Sequence, residues 1–345
     1  MAAVNIDTAR SHLLEAEELR GRLRGPEGDA AMARLESLYP ELGGAFEALV
    51  TEGAAEDAAR LASALVPFWM ATKRLEDGES WLSRATEVAA GSPSGARARM
   101  HHGYLVFWSG QYERSGELSR QAVEEARAAG DPTVEALALA VLARIALNSD
   151  LDEAKRLLRD ALGVTEGTDD VEGRSSAMHV LGVAHQMAGE LEDARRVMSD
   201  RLALGRATGN DFVIAIESAN LSMVERRLGH LEDADVLAIE SLTTFHRLGD
   251  HMATSWAANS VAATAAARGQ LERAATILGF AEAGIERAGG EWPPDERQQR
   301  EGTIATLEAG LAPDAFTAAR ATGRAMSIEE GVAFATSAVA GARTA

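Results

Sequence analysis

The sequence contains no cysteine, which excludes disulfide bonds, thiolate nucleophiles and Cys-ligated zinc. Aromatic residues make up only 5% of the chain, and 8 of its 345 residues are proline. No run of about 18 apolar residues occurs, so no membrane-spanning segment is predicted. No charged n-region precedes an apolar stretch, so no signal peptide is predicted either. These absences favour a cytoplasmic protein.

Positive charge is also scarce, because 34 basic residues face 53 acidic ones and leave a formal net charge of −19. An acidic surface repels phosphate backbones, so we expect no direct binding of nucleic acid. The acidity itself is most simply explained as a requirement for solubility.

Motifs of the common catalytic and nucleotide-binding classes are absent. The sequence has no His-Glu-x-x-His, Gly-x-Ser-x-Gly, Gly-x-Gly-x-x-Gly or Gly-x-x-x-x-Gly-Lys-Ser/Thr. His101 and His102 are adjacent, so on a helix their rings would point about 100° apart. His179 and His185 also diverge. We therefore predict no catalytic residue, no metal site and no cofactor.

A periodic signature runs through the middle of the chain. Gly189, Gly229 and Gly269 are each followed two residues later by Leu, then by an acid, and then by Ala three residues after the Leu. These leucines stand at residues 191, 231 and 271, a constant step of 40 residues. A fixed period between 20 and 50 residues is typical of stacked repeats. Looser copies extend the pattern to six predicted second helices, which begin at Leu75, Tyr112, Leu151, Leu191, Leu231 and Leu271.

Turn signals divide each repeat into two helices. A Gly before the second helix can adopt the positive φ that ends the first helix, and Lys73 and Ser149 replace it in two copies. Asp131, Asn210 and Asp250 each follow a Gly and are predicted to cap the next first helix. Six helix pairs are the result.

The two ends of the chain do not follow the repeat. Two N-terminal helices are predicted at 6–23 and 30–49, the second kinked or split by Pro40. Three C-terminal helices are predicted near 295–310, 313–322 and 327–340, after a loop that contains Trp292, with a capping box at Ser327 and Glu330. The predicted division is an N-terminal helical cap at 1–52, a repeat array at 53–290 and a C-terminal helical cap at 291–345.

The repeat resembles the tetratricopeptide repeat (TPR) family in a long-helix form. In its best copy, Leu181 and Gly182 come early in the first helix, and His185 stands at the large-residue position that follows. The turn Gly189 and then Leu191 and Ala194 complete the match. This resemblance implies an all-α fold, a right-handed α-solenoid of about six TPR-like helix pairs with helical caps at both ends. It also implies that the first helices line a concave groove.

Two stretches carry a narrower resemblance. Residues 61–85 and 316–333 are similar to the helical-repeat region of large ATP-binding transcriptional regulators of actinobacteria, the LuxR-type and maltose-regulator-like class. That class also has a nucleotide-binding domain and a helix-turn-helix domain. Neither has a counterpart in this sequence, so the resemblance implies the sensor or scaffold part only.

Projecting the TPR pattern onto each copy gives the candidate groove residues. They combine aromatic and Met side chains with Arg, His, Gln and Asn, a mixture that suits a peptide segment or a small amphipathic ligand. The candidates are Arg97, Met100, Tyr104, Trp108, His179, Gln186, Met223, Arg226, Trp256 and Asn259. If the long helices curl tightly, the same residues would instead be core.

The sequence leaves three functions open. The favoured one is a non-catalytic regulatory or sensor module that binds a protein partner or a small ligand in the groove and is linked to transcription. The alternatives are an enzyme that uses an apolar pocket within the superhelix and a pure assembly scaffold.

Overall fold

The computed structural model describes residues 4–25, 27–292 and 294–337. Within these ranges every regular element is a helix. The chain divides into two compact units, unit one at Met1–Gly189 and unit two at Glu190–Ala345.

Unit one consists of stacked helix pairs preceded by two N-terminal helices. Its helices are α1 (Ile6–Arg22), α2 (Gly28–Thr51), α3 (Ala55–Ala64), α4 (Val66–Thr72), α5 (Leu75–Val88), α6 (Pro93–Trp108), α7 (Tyr112–Ala129), α8 (Pro132–Ala146), α9 (Leu151–Val164) and α10 (Val171–Met187).

Unit two continues the pairs and ends in three further helices. Its helices are α11 (Leu191–Thr208), α12 (Asp211–Leu228), α13 (Leu231–Arg247), α14 (His251–Ala267), α15 (Leu271–Arg287), α16 (Pro294–Gly310), α17 (Pro313–Arg324) and α18 (Ile328–Thr336). The last part of the predicted 327–340 helix lies outside the described residues.

The predicted repeat register is confirmed. All six predicted second helices begin at the predicted residue, as α5, α7, α9, α11, α13 and α15. Lys73, which takes the place of a turn Gly, has a φ of 58°. Asp131, Asn210 and Asp250 accept hydrogen bonds from the first turns of α8, α12 and α14. The capping box of Ser327 and Glu330 is also formed.

Small residues at the start of the second helices allow the paired helices to approach closely. Ser115 and Ala234, at equivalent places, are fully buried. Ser115 Oγ donates to the carbonyl of Gly103 at 2.7 Å, and Ser222 Oγ donates to the carbonyl of Ala234 at 2.8 Å. Hydrogen bonds from the hydroxyls thus join the helices of a pair where the packing leaves no room for water.

Two local predictions need correction. Pro40 does not split the second N-terminal helix, because α2 continues through it. Leu38 and Leu42 on either side of Pro40 are buried, so tertiary packing outweighs the lost backbone hydrogen bond. The first helix of the first pair is instead divided at Leu65, and Pro67 stands in the first turn of the short helix α4 that follows.

The core of unit one is built around aromatic side chains. Phe46 and Trp81 stack with ring centroids 4.7 Å apart, and Trp69 Nε1 donates to the hydroxyl of Tyr39 at 3.0 Å. The core of unit two relies on alanine, with Phe280 and Ile277 among its few large buried side chains. The division into cap, array and cap remains a prediction. Among the described residues, no helix has the length and apolar character needed to span a membrane.

Candidate functional site

The ten candidate residues all lie on first helices. Six lie in unit one, on α6 and α10, and four lie in unit two, on α12 and α14. We call the surface formed by α6, α8 and α10 the unit-one face, and the surface formed by α12 and α14 the unit-two face. The burial and the partners of the side chains differ between the two faces.

An apolar strip crosses the unit-one face. It consists of the residues that stand two places before the turn in three successive first helices, Trp108, Leu147 and Met187. Trp108 is 49% exposed and Met187 is 50% exposed, while Leu147 is half-buried. Because α6 packs against α8 and α8 packs against α10, equivalent positions follow one another along the face. The strip presents large apolar side chains to solvent.

Neighbouring rings fix the position of Trp108. Its ring meets Phe107 edge-on with centroids 5.4 Å apart and Tyr104 edge-on at 6.2 Å. Tyr104 in turn packs against the core of unit one. An aromatic cluster of this geometry gains attraction beyond simple area burial. The Trp108 ring is therefore held in place by its neighbours, while about half of its surface is exposed.

A charged cluster lies at the other end of α6. Arg97 Nη1 lies 3.1 Å from Glu172 Oε2, and Arg20 Nη2 lies 3.6 Å from the other carboxylate oxygen of Glu172. One carboxylate on α10 thus connects α1, α6 and α10. Arg97 thus has an ion-pair partner within the chain and remains partly exposed.

Two histidines of α6 are buried and neutral. Burial lowers the pKa of His101 well below its ordinary value, and the nearby Arg20 and Arg97 lower it further. Burial also lowers the pKa of His102 to about 4, with Arg114 as the next cause. Neither ring nitrogen of His102 has a hydrogen-bond partner. Both side chains lie inside the packed unit, which favours a structural role.

The remaining unit-one candidates are covered to different extents. Met100 is only 4% exposed, so it packs in the interior of the unit. His179 and Gln186 on α10 are half-buried and have contacts within the chain. The structure therefore brings the Trp108 strip and the Arg97 cluster to the same face, with Met100 beneath.

The unit-two face is covered by α16. Asn259 Nδ2 donates to Glu296 Oε2 at 2.7 Å and to the Glu296 carbonyl at 3.1 Å. Gln299 Nε2 donates to Ser260 Oγ at 3.1 Å, and Arg226 Nη2 donates to Gln299 Oε1 at 2.6 Å. Gln299 therefore bridges α12 and α14, and three polar side chains of the face have their partners on α16.

Coverage by α16 changes the electrostatics of this face. Burial lowers the pKa of Arg226, although Glu296 opposes that shift. Met223 is 6% exposed, Asn259 is fully buried, and Trp256 is half-buried against the unit-two core. Among the candidates, Met100, Met223 and Asn259 are therefore buried within their units.

The sequence patterns did not predict the residues that form hydrogen bonds and ion pairs with the candidates. Glu172 lies in the first turn of a first helix, where acids are common for helix stability. Glu296 and Gln299 are buried residues of a largely polar helix, and apolar periodicity gives no signal for such a buried face. The loop before α16 was the one available hint that the chain turns back onto its own surface.

One group of side chains in unit two has metal-ligand chemistry. Glu225, His230 and Asp233 place carboxylate oxygens and a ring nitrogen within 4.8 Å of one another. Glu225 is also 2.9 Å from Arg195 Nε, and its other oxygen is 2.7 Å from His230 Nδ1. The Arg195 guanidinium thus compensates the charge of the Glu225 carboxylate within this group.

Comparisons with known proteins identify the fold. No protein-family model matches the sequence, and no curated protein matches it. A Rap protein solved with competence and sporulation factor is similar in structure, with a TM-score of 0.53, 10% identity, and coverage of 91% of this chain and 100% of that one.

Two further solved structures are similar at the same level. The Rap conjugation gene regulator of plasmid pLS20, in complex with the Phr* peptide, has a TM-score of 0.53 at 12% identity and covers 87% of this chain and 95% of that one. A STAND signal-transduction ATPase with a tetratricopeptide-repeat sensor from Pyrococcus horikoshii has a TM-score of 0.54 at 12% identity. This match covers 86% of this chain but 48% of that one. The fold is thus an all-α solenoid of TPR-like helix pairs.

Proposed function

We propose that this chain is a non-catalytic regulatory module that binds a protein segment on the unit-one face. The observation that carries the proposal is the strip of Trp108, Leu147 and Met187 at the ends of three successive first helices, in which Trp108 and Met187 are about half exposed. Contiguous exposed apolar surface marks interaction sites. Trp is enriched among residues that dominate binding energy, and Met adapts to varied partners.

The spacing of the strip suggests the form of the bound segment. Packed helices lie about 8–10 Å apart, and an extended chain advances about 3.3 Å per residue. An extended segment with an apolar side chain at about every third position would place one on each first helix. Arg97, still partly exposed beside Glu172, would favour a carboxylate at one end of the segment.

Two structural neighbours support a peptide as the first ligand to test, because each was solved with a bound factor or peptide. They are only 10% and 12% identical to this chain, so the ligand class is carried over as part of the proposal. A link to transcription and a cytoplasmic, actinobacterial setting rest on the resemblance of residues 61–85 and 316–333 to LuxR-type regulators. The three-part division into cap, array and cap belongs to the same proposal.

Peptide display tests the proposal directly. Peptides selected on the wild-type chain would be titrated against Trp108→Ala and Met187→Ala variants by fluorescence polarisation. Removing a central Trp anchor costs at least about 2 kcal/mol, so we expect affinity to fall about 30-fold or more in Trp108→Ala. Met187→Ala should weaken binding less, because a Met side chain is more easily replaced by rearrangement.

Leu14→Ala is the matched control, since Leu14 is a 62% exposed apolar residue of unit one that lies on α1 outside the strip. Its affinity for the selected peptides should equal that of the wild type. Equal affinities in all variants would contradict the proposal. Native mass spectrometry of protein isolated from its source cells gives an independent answer. A bound small molecule would show that the ligand is a small amphipathic compound and not a peptide.

A further inference from the structure

We infer that the unit-two face is a second docking site, which accepts a helix with a polar binding stripe, and that α16 is its internal occupant until a partner displaces it. The inference extends the proposed function from unit one to unit two and adds a mode of regulation. It concerns different residues, so it can fail while the unit-one proposal stands.

The buried stripe of α16 is mainly polar. Glu296, Gln299, Thr303 and Leu307 recur at three- and four-residue steps and are each less than a tenth exposed. Three of these four side chains carry oxygen or nitrogen atoms. Helix α15, by contrast, buries Ile277, Leu278 and Phe280. Because apolar burial is the main source of packing free energy, α16 adheres less strongly than its neighbours.

The fit of α16 to this face is incomplete. Trp256 Nε1 and Asn259 Oδ1 are buried and have no hydrogen-bond partner, and neither has Asn220 Nδ2 on α12. Asn220 stands on α12 where Ser260 stands on α14, nine residues before the turn Gly. A buried polar group without a partner costs free energy. A partner helix that satisfies these atoms would therefore bind more favourably than α16.

If α16 were released, the buried carboxylate of Glu282 on α15 would still have an ion-pair partner in unit two. Glu282 accepts hydrogen bonds from Arg300 of α16 at 2.8 and 2.5 Å, but also from Arg320 of α17 at 2.6 and 2.7 Å. The carboxylate thus keeps a bidentate partner after Arg300 departs. Arg226 would regain water, which removes the burial that opposes its charge.

The flanking segments allow α16 to move while its neighbours stay in place. Gly289 has a φ of 60°, a conformation that glycine adopts readily, and it lies in the loop that leads to α16. Helix α17 packs so closely against α15 that a Cβ atom on Gly323 would lie 1.8 Å from the carbonyl oxygen of Thr276. This close packing anchors α17. The helix α16 is therefore tethered between two fixed helices.

The contacts of α16 define the chemistry of the partner. It would be a helix with a carboxylate where α16 has Glu296 and an amide three residues later, where α16 has Gln299. It would also carry polar groups that pair with Trp256 Nε1, Asn259 Oδ1 and Asn220 Nδ2, the atoms that α16 leaves without partners. A small hydroxyl residue and then a leucine would follow at the spacing of Thr303 and Leu307. Asn259, Ser260 and Arg226 would donate or accept the same hydrogen bonds as they do with α16.

Because the chain contains no cysteine, a single introduced thiol can report the opening of α16. Thr303→Cys places a single thiol on the buried stripe, and Ser241→Cys places one at a fully buried site in α13 as the matched control. With a thiol reagent in excess, under native conditions, we expect the Thr303→Cys chain to react at least 100-fold faster than the control. Adding Gln299→Ala should speed that reaction a further tenfold. Equal slow rates with the same urea dependence would overturn the inference, because α16 would then open only on global unfolding.

Occupancy of the site is tested with a labelled peptide of residues 294–310. We expect the full chain carrying Glu296→Ala and Gln299→Ala to bind this peptide at least tenfold more tightly than the wild type, whose site is filled. A peptide with the same two substitutions should not bind. No binding to the variant chain, or equal binding to both chains, would overturn the docking site. Neither result depends on Trp108 or Met187, so the unit-one proposal is judged separately.

Discussion

At the scale of the residue, His102 is the clearest case of a side chain whose protonation is coupled to folding. Its ordinary pKa is 6.5, and burial lowers the pKa to about 4 in the folded chain. The unfolded chain therefore takes up the proton first as the pH falls. Above pH 6.5 His102 is neutral in both the folded and the unfolded chain, so its full contribution to the free energy of unfolding is present there. This contribution is lost as the pH falls from 6.5 towards 4.

We predict that the free energy of unfolding decreases by about 2 kcal/mol for His102 alone between pH 7 and pH 5. His101 acts in the same direction, because burial lowers its pKa as well. Urea denaturation of wild type and His102→Gln at both pH values measures the effect. The variant should show a change smaller by about that amount, and an unchanged difference between pH 7 and pH 5 would contradict the assignment.

Exposed Trp108 shows a second residue-scale effect. Its ring is held by Phe107 and Tyr104, yet half of its surface has no cover. Ordering a side chain before a partner arrives reduces the conformational entropy lost on binding. This is the physical basis for the large effect expected of Trp108→Ala on peptide affinity.

At the scale of the element, close approach of helices depends on particular glycines. Helices α15 and α17 pack at Gly323, where an added Cβ would collide with the backbone of Thr276. Helix α16 contains Gly302, where an added Cβ would meet nothing within 4 Å. The same substitution should thus have opposite effects at the two positions.

We predict that Gly323→Ala destabilises unit two by about 2 kcal/mol or more, because α17 must move away from α15. Gly302→Ala, the matched control, should stabilise its helix by about 0.5–1 kcal/mol, since alanine is the better helix former. Thermal unfolding followed by circular dichroism would show the two shifts. Equal behaviour of both variants would refute the close packing at Gly323.

Helix α16 illustrates why secondary structure and role must be separated. The sequence predicts a helix at this position and assigns it to the C-terminal cap. Its side chains instead reach α12 and α14, through Gln299 and Glu296. Whether it leaves that position is decided by the thiol measurement at Thr303.

At the scale of the whole molecule, the chain is a succession of helix pairs in two compact units. In stacked repeats each pair contacts its neighbours, so stability is approximately a sum of local terms. Damage to one unit should therefore remain within it. This expectation can be tested with a mutation in unit one and a measurement in unit two. Leu42 is fully buried in α2 of unit one, and α14 lies far from it along the chain in unit two.

We predict that Leu42→Ala, which leaves a cavity costing about 2–5 kcal/mol, accelerates amide hydrogen exchange in α2 and α3 of unit one. Exchange in α14 of unit two should keep its wild-type rate. Hydrogen-exchange mass spectrometry of peptides from these helices provides both readings together. Acceleration by the same factor in both units would show that the chain unfolds as a single cooperative body.

Local sequence patterns were sufficient to predict the helical fold and its register. The turn at Gly189 and its equivalents, the small residue Ala194 and the capping Asp250 act over one or two helical turns, so their effect can be read locally. The same local reasoning wrongly allowed a split at Pro40, because burial of Leu38 and Leu42 keeps α2 continuous there. Likewise, the full burial of Asn259 could not be predicted without knowing that α16 packs against it.

Tertiary contacts determine which candidate residues are exposed. The pattern placed Arg226 and Trp108 on equivalent faces, but α16 covers Arg226 while Trp108 stays half exposed. Coverage depends on contacts between residues far apart in sequence, such as Arg226 with Gln299 and Arg97 with Glu172. Periodicity within one helix carries no information about such pairs, because polar contacts between distant segments follow from the path of the chain in space.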